Sequence, residues 1–159
     1  MSPTEDFAQT RRQFITFLSG EQDFGADIMC IREIRGWTET TPLPHAPDYV
    51  RGVINLRGVV LPVVDLKARL GAGRTDANPK HVIVVVQAGE RTIGLLVDAV
   101  SDILTVTAGE IQPTPELVRD AETAFVEGIA VLGERMVTIL SLERLVASLA
   151  AAPALQQAA

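Results

Sequence analysis

The stretch 53–66 reads VINLRGVVLPVVDL, two apolar runs separated by Asn55, Arg57 and Gly58. Apolar runs rich in branched side chains and broken by an Asn/Gly turn predict a β-hairpin. A similar stretch, GIAVLGERMVTIL, occurs at 128–140 and carries Gly133 and Glu134 at the turn. The second copy makes the hairpin without Asn and Arg, so glycine alone satisfies the turn geometry. Arg57 is therefore either a solvated turn residue or a functional one.

The similarity extends along the chain and indicates an internal duplication. An offset of 76 residues places 49–70 over 125–146, and an offset of 69 places 15–34 over 84–103. The seven extra residues fall naturally in the proline loop around Pro113 and Pro115. Coinciding glycines mark positions where the backbone needs an unusual φ or a close approach. The coinciding pairs are Gly20/Gly89, Glu21/Glu90, Gly25/Gly94, Ile34/Ile103, Val50/Val126, Gly52/Gly128, Leu56/Leu132 and Leu66/Leu142.

Two similar halves of about five short strands each predict an all-β fold of two small barrels packed side by side. We expect a flexible arm at 1–12, a first barrel at about 13–70 and a second at about 80–142. A closing helix is expected at about 142–152, with Ser141 as its N-cap, and a flexible tail at 153–159. A groove between the barrels is the expected place for partners or ligands.

Composition restricts the functional class. Hydrophobic residues make up 47% of the 159 residues and charged residues 21%, which is typical of a globular protein. A net charge of −6 argues against binding to nucleic acid or anionic lipid. No apolar run approaches the ~20 residues that span a bilayer, and the start has no signal-peptide core. The single cysteine, Cys30, fits a reducing compartment, so we expect a cytoplasmic protein.

The sequence offers little that resembles a catalytic or metal site. His45 and His81 have no partner at metal-ligand spacing, and Cys30 lies in an apolar stretch typical of a small core residue. Asp65 and Asp98 each follow an apolar strand, where capping explains them more simply than a carboxylate pair. We expect neither catalysis nor a cofactor. Two alternatives stay open: a hydrolase that uses Asp65 and Asp98, and a double barrel that holds a small ligand in its groove.

Several blocks in order resemble CheW, the coupling-protein family of bacterial chemotaxis. They are EIRGWTETTPLPHAPDYVRGVINLRGVVLPVVDL, IGLLVDAVSDIL, IQPTPE and GIAVLGERMVTILSLERL, and the resemblance covers Gln13 to Leu149. It implies two five-stranded SH3-like barrels related by a pseudo-twofold. It also implies a non-catalytic adaptor and scaffold of two-component signal transduction. Such an adaptor joins methyl-accepting chemoreceptor tips to the regulatory domain of the histidine kinase CheA, in arrays at the membrane.

The resemblance also assigns roles to individual residues. The NLRG arginine and its groove lie on the receptor-binding side of the family, and an apolar surface of the first barrel binds the kinase. The implied receptor-binding residues are Glu33, Asn55, Arg57, Gly58, Val100 and Ile103, and the implied kinase-binding residues are Ile15, Ile28 and Ile31.

Overall fold

The structure, a computed structural model, describes residues 11–114 and 125–150. Within these ranges the chain forms eleven strands and two α-helices, joined in two places by single turns of 3₁₀-helix at Ile28–Cys30 and Ala108–Glu110. The strands are β1 (Arg11–Ser19), β2 (Gln22–Asp27), β3 (Ile31–Gly36), β4 (Val50–Leu56), β5 (Val59–Asp65), β6 (Val82–Ala88), β7 (Arg91–Val97), β8 (Ala99–Thr107), β9 (Ile111–Gln112), β10 (Val126–Leu132) and β11 (Arg135–Leu140). The helices are α1 (Leu66–Arg69) and α2 (Leu142–Ala150).

The strands form two sheets, which confirms the predicted all-β fold. The six-stranded sheet has the order β8-β1-β2-β11-β10-β9, and the five-stranded sheet has the order β3-β6-β7-β5-β4. The first sheet closes into a barrel because β8 leads through one 3₁₀ turn into β9. The second closes through a single bridge between Thr41 and Val53. The sixth strand, β9, has only two residues, and this bridge takes its place in the five-stranded barrel.

The two barrels do not correspond to the two halves of the chain. Strands β1 and β2 pair with β8 and β11 from the second half, while β6 and β7 pair with β3 and β5 from the first. Each half therefore gives its first hairpin to the other half's barrel. The predicted division into 13–70 and 80–142 does not separate the barrels, because strand exchange joins residues that are distant in sequence.

The exchange follows the duplication residue by residue. Offsets of 69 and 76 convert the strand order of one sheet into that of the other. The parallel contact Ile139–Gly25 in one barrel corresponds to Val63–Gly94 in the other. The hairpins β4–β5 and β10–β11 also share a register shift, at Gly52 and Gly128. A predicted internal repeat is thus present as two barrels of the same topology.

Gly52 and Gly128 show why the duplicated glycines matter. Gly52 has a φ of +135°, and a Cβ there would collide with the carbonyl oxygen of Thr41. A Cβ at Gly128 would lie 2.7 Å from the carbonyl oxygen of Gln112. In each barrel the crossing segment that completes the closure passes too near the strand for any side chain.

Three apolar clusters fill the interior. One lies inside the five-stranded barrel and includes Leu61 and Ile83, and another lies inside the six-stranded barrel and includes Phe14 and Ile139. The third joins the barrels and includes the buried apolar side chains of α2. Its members are Ile15, Phe17, Phe24, Ala26, Val64, Leu66, Val84, Val86, Ile93, Leu95, Val97, Phe125, Leu140, Leu142, Leu145, Val146 and Leu149. This joint core fills the space between the barrels, where the sequence predicted a binding groove.

The predicted ends of the domain need one correction. Arg11 and Arg12, expected in a flexible arm, belong to β1 and pair with Thr107 and Val106. Residues 1–10 and 151–159, which include the predicted end of the closing helix and the tail 153–159, lie outside the described residues, as does 115–124 in the proline loop. The closing helix begins as predicted, since the backbone N–H of Arg144 donates to Ser141 Oγ at 3.4 Å.

Candidate interaction site

The hairpin β4–β5 differs from the other three two-residue hairpins of the described chain. Those three turn through Gly-Glu pairs, and the φ of the glycine is +64° at Gly20, +61° at Gly89 and +63° at Gly133. The hairpin β4–β5 turns through Arg57 and Gly58, with φ of +51° and +87°. An arginine thus occupies a left-handed position that three equivalent turns give to glycine. Such a conformation costs a non-glycine residue about 1–3 kcal/mol, and residues that keep it are concentrated at functional sites.

The side chains around the turn hold it in place and present the guanidinium. Asn55 Oδ1 accepts the backbone N–H of Gly58 at 2.8 Å, which closes the turn. Arg57 Nη2 donates to Glu33 Oε1 at 2.7 Å, and Glu33 projects from β3. The Arg57 side chain is 74% exposed, whereas that of Glu33 is 26% exposed. The structure therefore brings together four of the six residues predicted to bind the receptor, with the cation outermost.

A shallow groove of about 260 Å³ adjoins this turn. Asn55 and Val60 line it from the hairpin, and Arg35, Thr38, Glu39 and Thr41 line it from the end of β3 and the crossing segment. Arg35 also lies 3.8 Å from the second oxygen of Glu33, so this carboxylate lies between two arginines. The groove belongs to the five-stranded barrel alone, not to the boundary between barrels. It is smaller than the ~300–1,000 Å³ of ordinary small-molecule sites.

Val100 and Ile103, the other two predicted receptor-binding residues, lie on β8 of the six-stranded barrel. Ile103 is 57% exposed and pairs with Ile15 across β1–β8. Val100 is half-buried against the joint core and pairs with Phe17. The structure places these two on a different sheet from the Arg57 turn, and their role stays a prediction.

The three residues predicted to bind the kinase divide into two groups. Ile15 is only 8% exposed and belongs to the joint core, so it is unavailable to a partner without unfolding. Ile28 and Ile31 are half-buried; Ile28 begins the 3₁₀ turn after β2 and Ile31 directly follows it. Met29, between them, is 80% exposed and was missed by the sequence reasoning. Asp27 Oδ1 caps this turn by accepting the N–H of Met29 at 2.9 Å, so Met29 is presented by an ordered turn.

The six-stranded barrel carries a different polar cluster at the position equivalent to Glu33. Asp102 accepts hydrogen bonds from two guanidinium nitrogens of Arg135, at 3.1 Å each, and bonds the buried hydroxyl of Thr16. Arg135 also contacts Asp23 at 3.4 Å. The hydrogen bonds from Arg135 and then from Thr16 lower the pKa of Asp102 to about 2. In this barrel the charged groups satisfy one another.

The residues considered for chemistry have structural partners. Asp65 is fully buried and accepts the N–H and the hydroxyl of Thr75 at 2.7 Å each. Asp98 lies 3.3 Å from His81 Nε2. Burial raises the pKa of the Cys30 thiol, which disfavours the reactive thiolate. Neither Asp65 nor Asp98 lines the groove, so the geometry gives the hydrolase alternative no support.

Two negative findings apply to residues 11–114 and 125–150 only. Histidine, cysteine and acidic side chains there form no group of three that could hold a metal ion. No helix within these ranges has the length and apolar character needed to cross a membrane.

Comparison with known proteins supplies the family. Residues 13–150 match the model of the CheW-like domain. The chain is 53% identical over 132 residues to the chemotaxis protein CheW of Rhizobium meliloti (strain 1021), covering 83% of this chain and 85% of the relative. It is 36% identical over 137 residues to CheW of Klebsiella aerogenes, covering 86% and 82%. The crystal structure of the scaffolding protein TtCheW from Thermoanaerobacter tengcongensis superposes with a TM-score of 0.76 at 34% identity, covering 82% of this chain and 89% of that one.

Proposed function

The chain belongs to the CheW family of chemotaxis scaffold proteins, and from that premise we propose that it joins a methyl-accepting chemoreceptor to the histidine kinase CheA. It acts by binding both partners at receptor arrays on the membrane, and not by catalysis. The observation that carries the proposal is the exposed Arg57, held in a left-handed turn where the duplicated hairpin has glycine.

The receptor surface centres on Arg57. Glu33 occupies part of one side of the guanidinium, and the remaining donors point into a largely exposed environment. A planar guanidinium with free donors suits a carboxylate or a row of carbonyl oxygens on the partner. Asn55 and Gly58 contribute by fixing the turn. Val100 and Ile103 supply apolar contact from the other barrel.

The kinase surface centres on the 3₁₀ turn between β2 and β3. Met29 is its exposed apolar centre, with the half-buried Ile28 and Ile31 beside it. Methionine is enriched at protein interfaces because its flexible side chain fits irregular surfaces. Ile15 is excluded from this surface by its burial. The receptor and kinase surfaces thus use different residues, as a coupling protein requires.

The test is co-sedimentation with a receptor cytoplasmic fragment and with CheA, each alone and then together. We expect Arg57→Ala to lose receptor binding and keep CheA binding, and Met29→Asp to do the reverse. Arg91→Ala, which removes an exposed arginine from another hairpin, serves as the matched control. Loss of a buried charge-assisted bond costs about 1.5–3 kcal/mol, a reduction in affinity of more than tenfold.

Two results would contradict the proposal. Wild-type protein that sediments with neither partner would remove the coupling function. Arg57→Ala protein that is folded and binds the receptor fragment like the wild type would remove Arg57 from the receptor surface.

A further inference from the structure

Of the two arginines beside the groove, Arg35 has the weaker ion pair. Its guanidinium lies 3.8 Å from Glu33, at the outer limit of an ion pair, whereas Arg57 binds the same carboxylate at 2.7 Å. Its Nε is buried and has no hydrogen-bond partner among the described residues. A buried donor without a partner costs about 1–3 kcal/mol, so such a group calls for an explanation.

The duplication shows that the barrel does not need this charge. Arg35 pairs with Ile83 on β6, and the equivalent pair in the other barrel is Leu104 with Phe14. Leu104 packs against the apolar cluster of its barrel. Leucine therefore meets the structural need at this position, and arginine meets some other one.

Two further polar residues depart from the duplicated pattern at the same place. Asn55 corresponds to Val131, and Arg57 corresponds to Gly133. Arg35 and Asn55 both line the groove, and Arg57 adjoins it through Glu33. The other barrel has polar exceptions of its own, but Thr16, Asp102 and Arg135 bond one another. At the groove the exceptions leave donors free.

We infer that this groove binds a carboxylate-bearing side chain of the receptor segment that Arg57 contacts, with Arg35 as its cation. The inference rests on the proposed receptor-binding function. The volume of about 260 Å³ suits one side chain better than a whole metabolite. The Arg35 side chain is 36% exposed, so its terminal guanidinium nitrogens provide the donors, and Val60, 60% exposed, provides apolar contact for the stem of the incoming side chain.

The experiment measures affinity for a receptor cytoplasmic fragment by calorimetry, with the full chain, at low and high salt. Arg35→Leu installs the residue of the duplicated position, and we expect the fold to persist and the affinity to fall roughly 10- to 100-fold. Arg35→Gln should give a similar loss. The variant should also lose part of the salt dependence of binding. Arg91→Leu is the matched control and should bind like the wild type.

Glu39 also lines the groove, and its substitution shows whether the partner side chain is acidic or basic. Glu39→Gln should leave the affinity unchanged or raise it, because it removes an anion from the site of a carboxylate. A loss with Glu39→Gln that exceeds the loss with Arg35→Leu would mean that the partner side chain is basic, which overturns the inference.

The outcomes separate the inference from the function on which it rests. If Arg57→Ala abolishes receptor binding and Arg35→Leu does not weaken it, the inference is wrong and the proposed function stands. If the wild type does not bind the fragment, the proposed function fails and the inference with it. If millimolar citrate raises the melting temperature of the wild type but not of Arg35→Leu, and receptor affinity is the same for both, the groove serves a free carboxylate and the inference is again wrong.

Discussion

Replacing Arg57 by glycine separates the two roles that an arginine at a turn can have. The left-handed backbone costs a non-glycine residue about 1–2 kcal/mol, and glycine removes that cost. Glycine adds back about 0.5–1 kcal/mol through the entropy of the unfolded chain. The lost ion pair with Glu33 is worth at most about 1 kcal/mol, because Arg57 is 74% exposed. These terms nearly cancel, so we expect the free energy of unfolding of Arg57→Gly to stay within about 1 kcal/mol of the wild type.

Binding should respond quite differently. The same substitution removes all five guanidinium donors, and we expect receptor affinity to fall more than tenfold. Urea denaturation gives the stability and calorimetry with a receptor fragment gives the affinity. Gly133→Ala is the reciprocal control and should cost about 1–2 kcal/mol, since it places a Cβ at a φ of +63°. If Arg57→Gly destabilises the protein by much more than 1 kcal/mol while binding is retained, the arginine is structural and the reasoning is wrong.

Three further predictions concern the fold. Gly52→Ala should unfold the protein or destabilise it by more than about 3 kcal/mol in urea, because φ is positive there and the new Cβ would collide with the Thr41 carbonyl. A mild effect would mean that the crossing segment can move away. Leu145→Ala should lower the free energy of unfolding by about 2–5 kcal/mol, since this α2 side chain is fully buried in the joint core. A smaller loss, measured by thermal unfolding, would show that α2 is loosely packed. Asp102→Asn should be less stable than the wild type near neutral pH, because Arg135 lowers the pKa of Asp102 to about 2 in the folded state. The difference in the free energy of unfolding should shrink as the pH falls from about 4 toward 2. A difference that is independent of pH would show that the ion pair contributes nothing to stability.

The hairpins and the duplication could be predicted from sequence because their signals are local. A Gly-Glu pair with its glycine at positive φ, flanked by apolar runs, indicates three of the four hairpins, and Arg57-Gly58 between apolar runs indicates the fourth. The exchange of hairpins between the halves could not be predicted. It depends on which strand lies beside β2 and β7, and the two parallel contacts, at Gly25 and Gly94, join strands far apart in sequence. A Cβ at Gly25 would lie 3.0 Å from the Ile139 side chain and one at Gly94 would lie 2.7 Å from the Ile83 side chain, so glycine leaves room for a core side chain at both positions.

The candidate site could be predicted only in part, for a related reason. The hairpin supplies Asn55, Arg57 and Gly58 as neighbours in sequence, so a single motif contains them. Glu33 came from the family resemblance, and its contact with Arg57 depends on closure of the barrel. Arg35 was missed because a charge in an alternating strand is typical of a solvated face. The signal that identifies it is its alignment with Leu104, which has meaning only once both residues are placed in equivalent strand pairs.

A duplicated protein contains its own control for separating folding from function. Positions that both barrels share, such as Gly52 and Gly128, are those where the backbone permits one solution, and their substitution should damage stability first. Where the two barrels carry different residues, the backbone geometry does not dictate the side chain. A residue there that lowers stability therefore needs an explanation other than folding. In the six-stranded barrel the charged side chains at such positions have partners within the barrel, because Asp102 and Arg135 form an ion pair. In the five-stranded barrel Arg57 keeps a strained backbone and Arg35 keeps an unpaired donor. Because the other barrel folds with glycine and leucine at these two positions, we expect substitution of either arginine to weaken receptor binding and to leave the free energy of unfolding nearly unchanged.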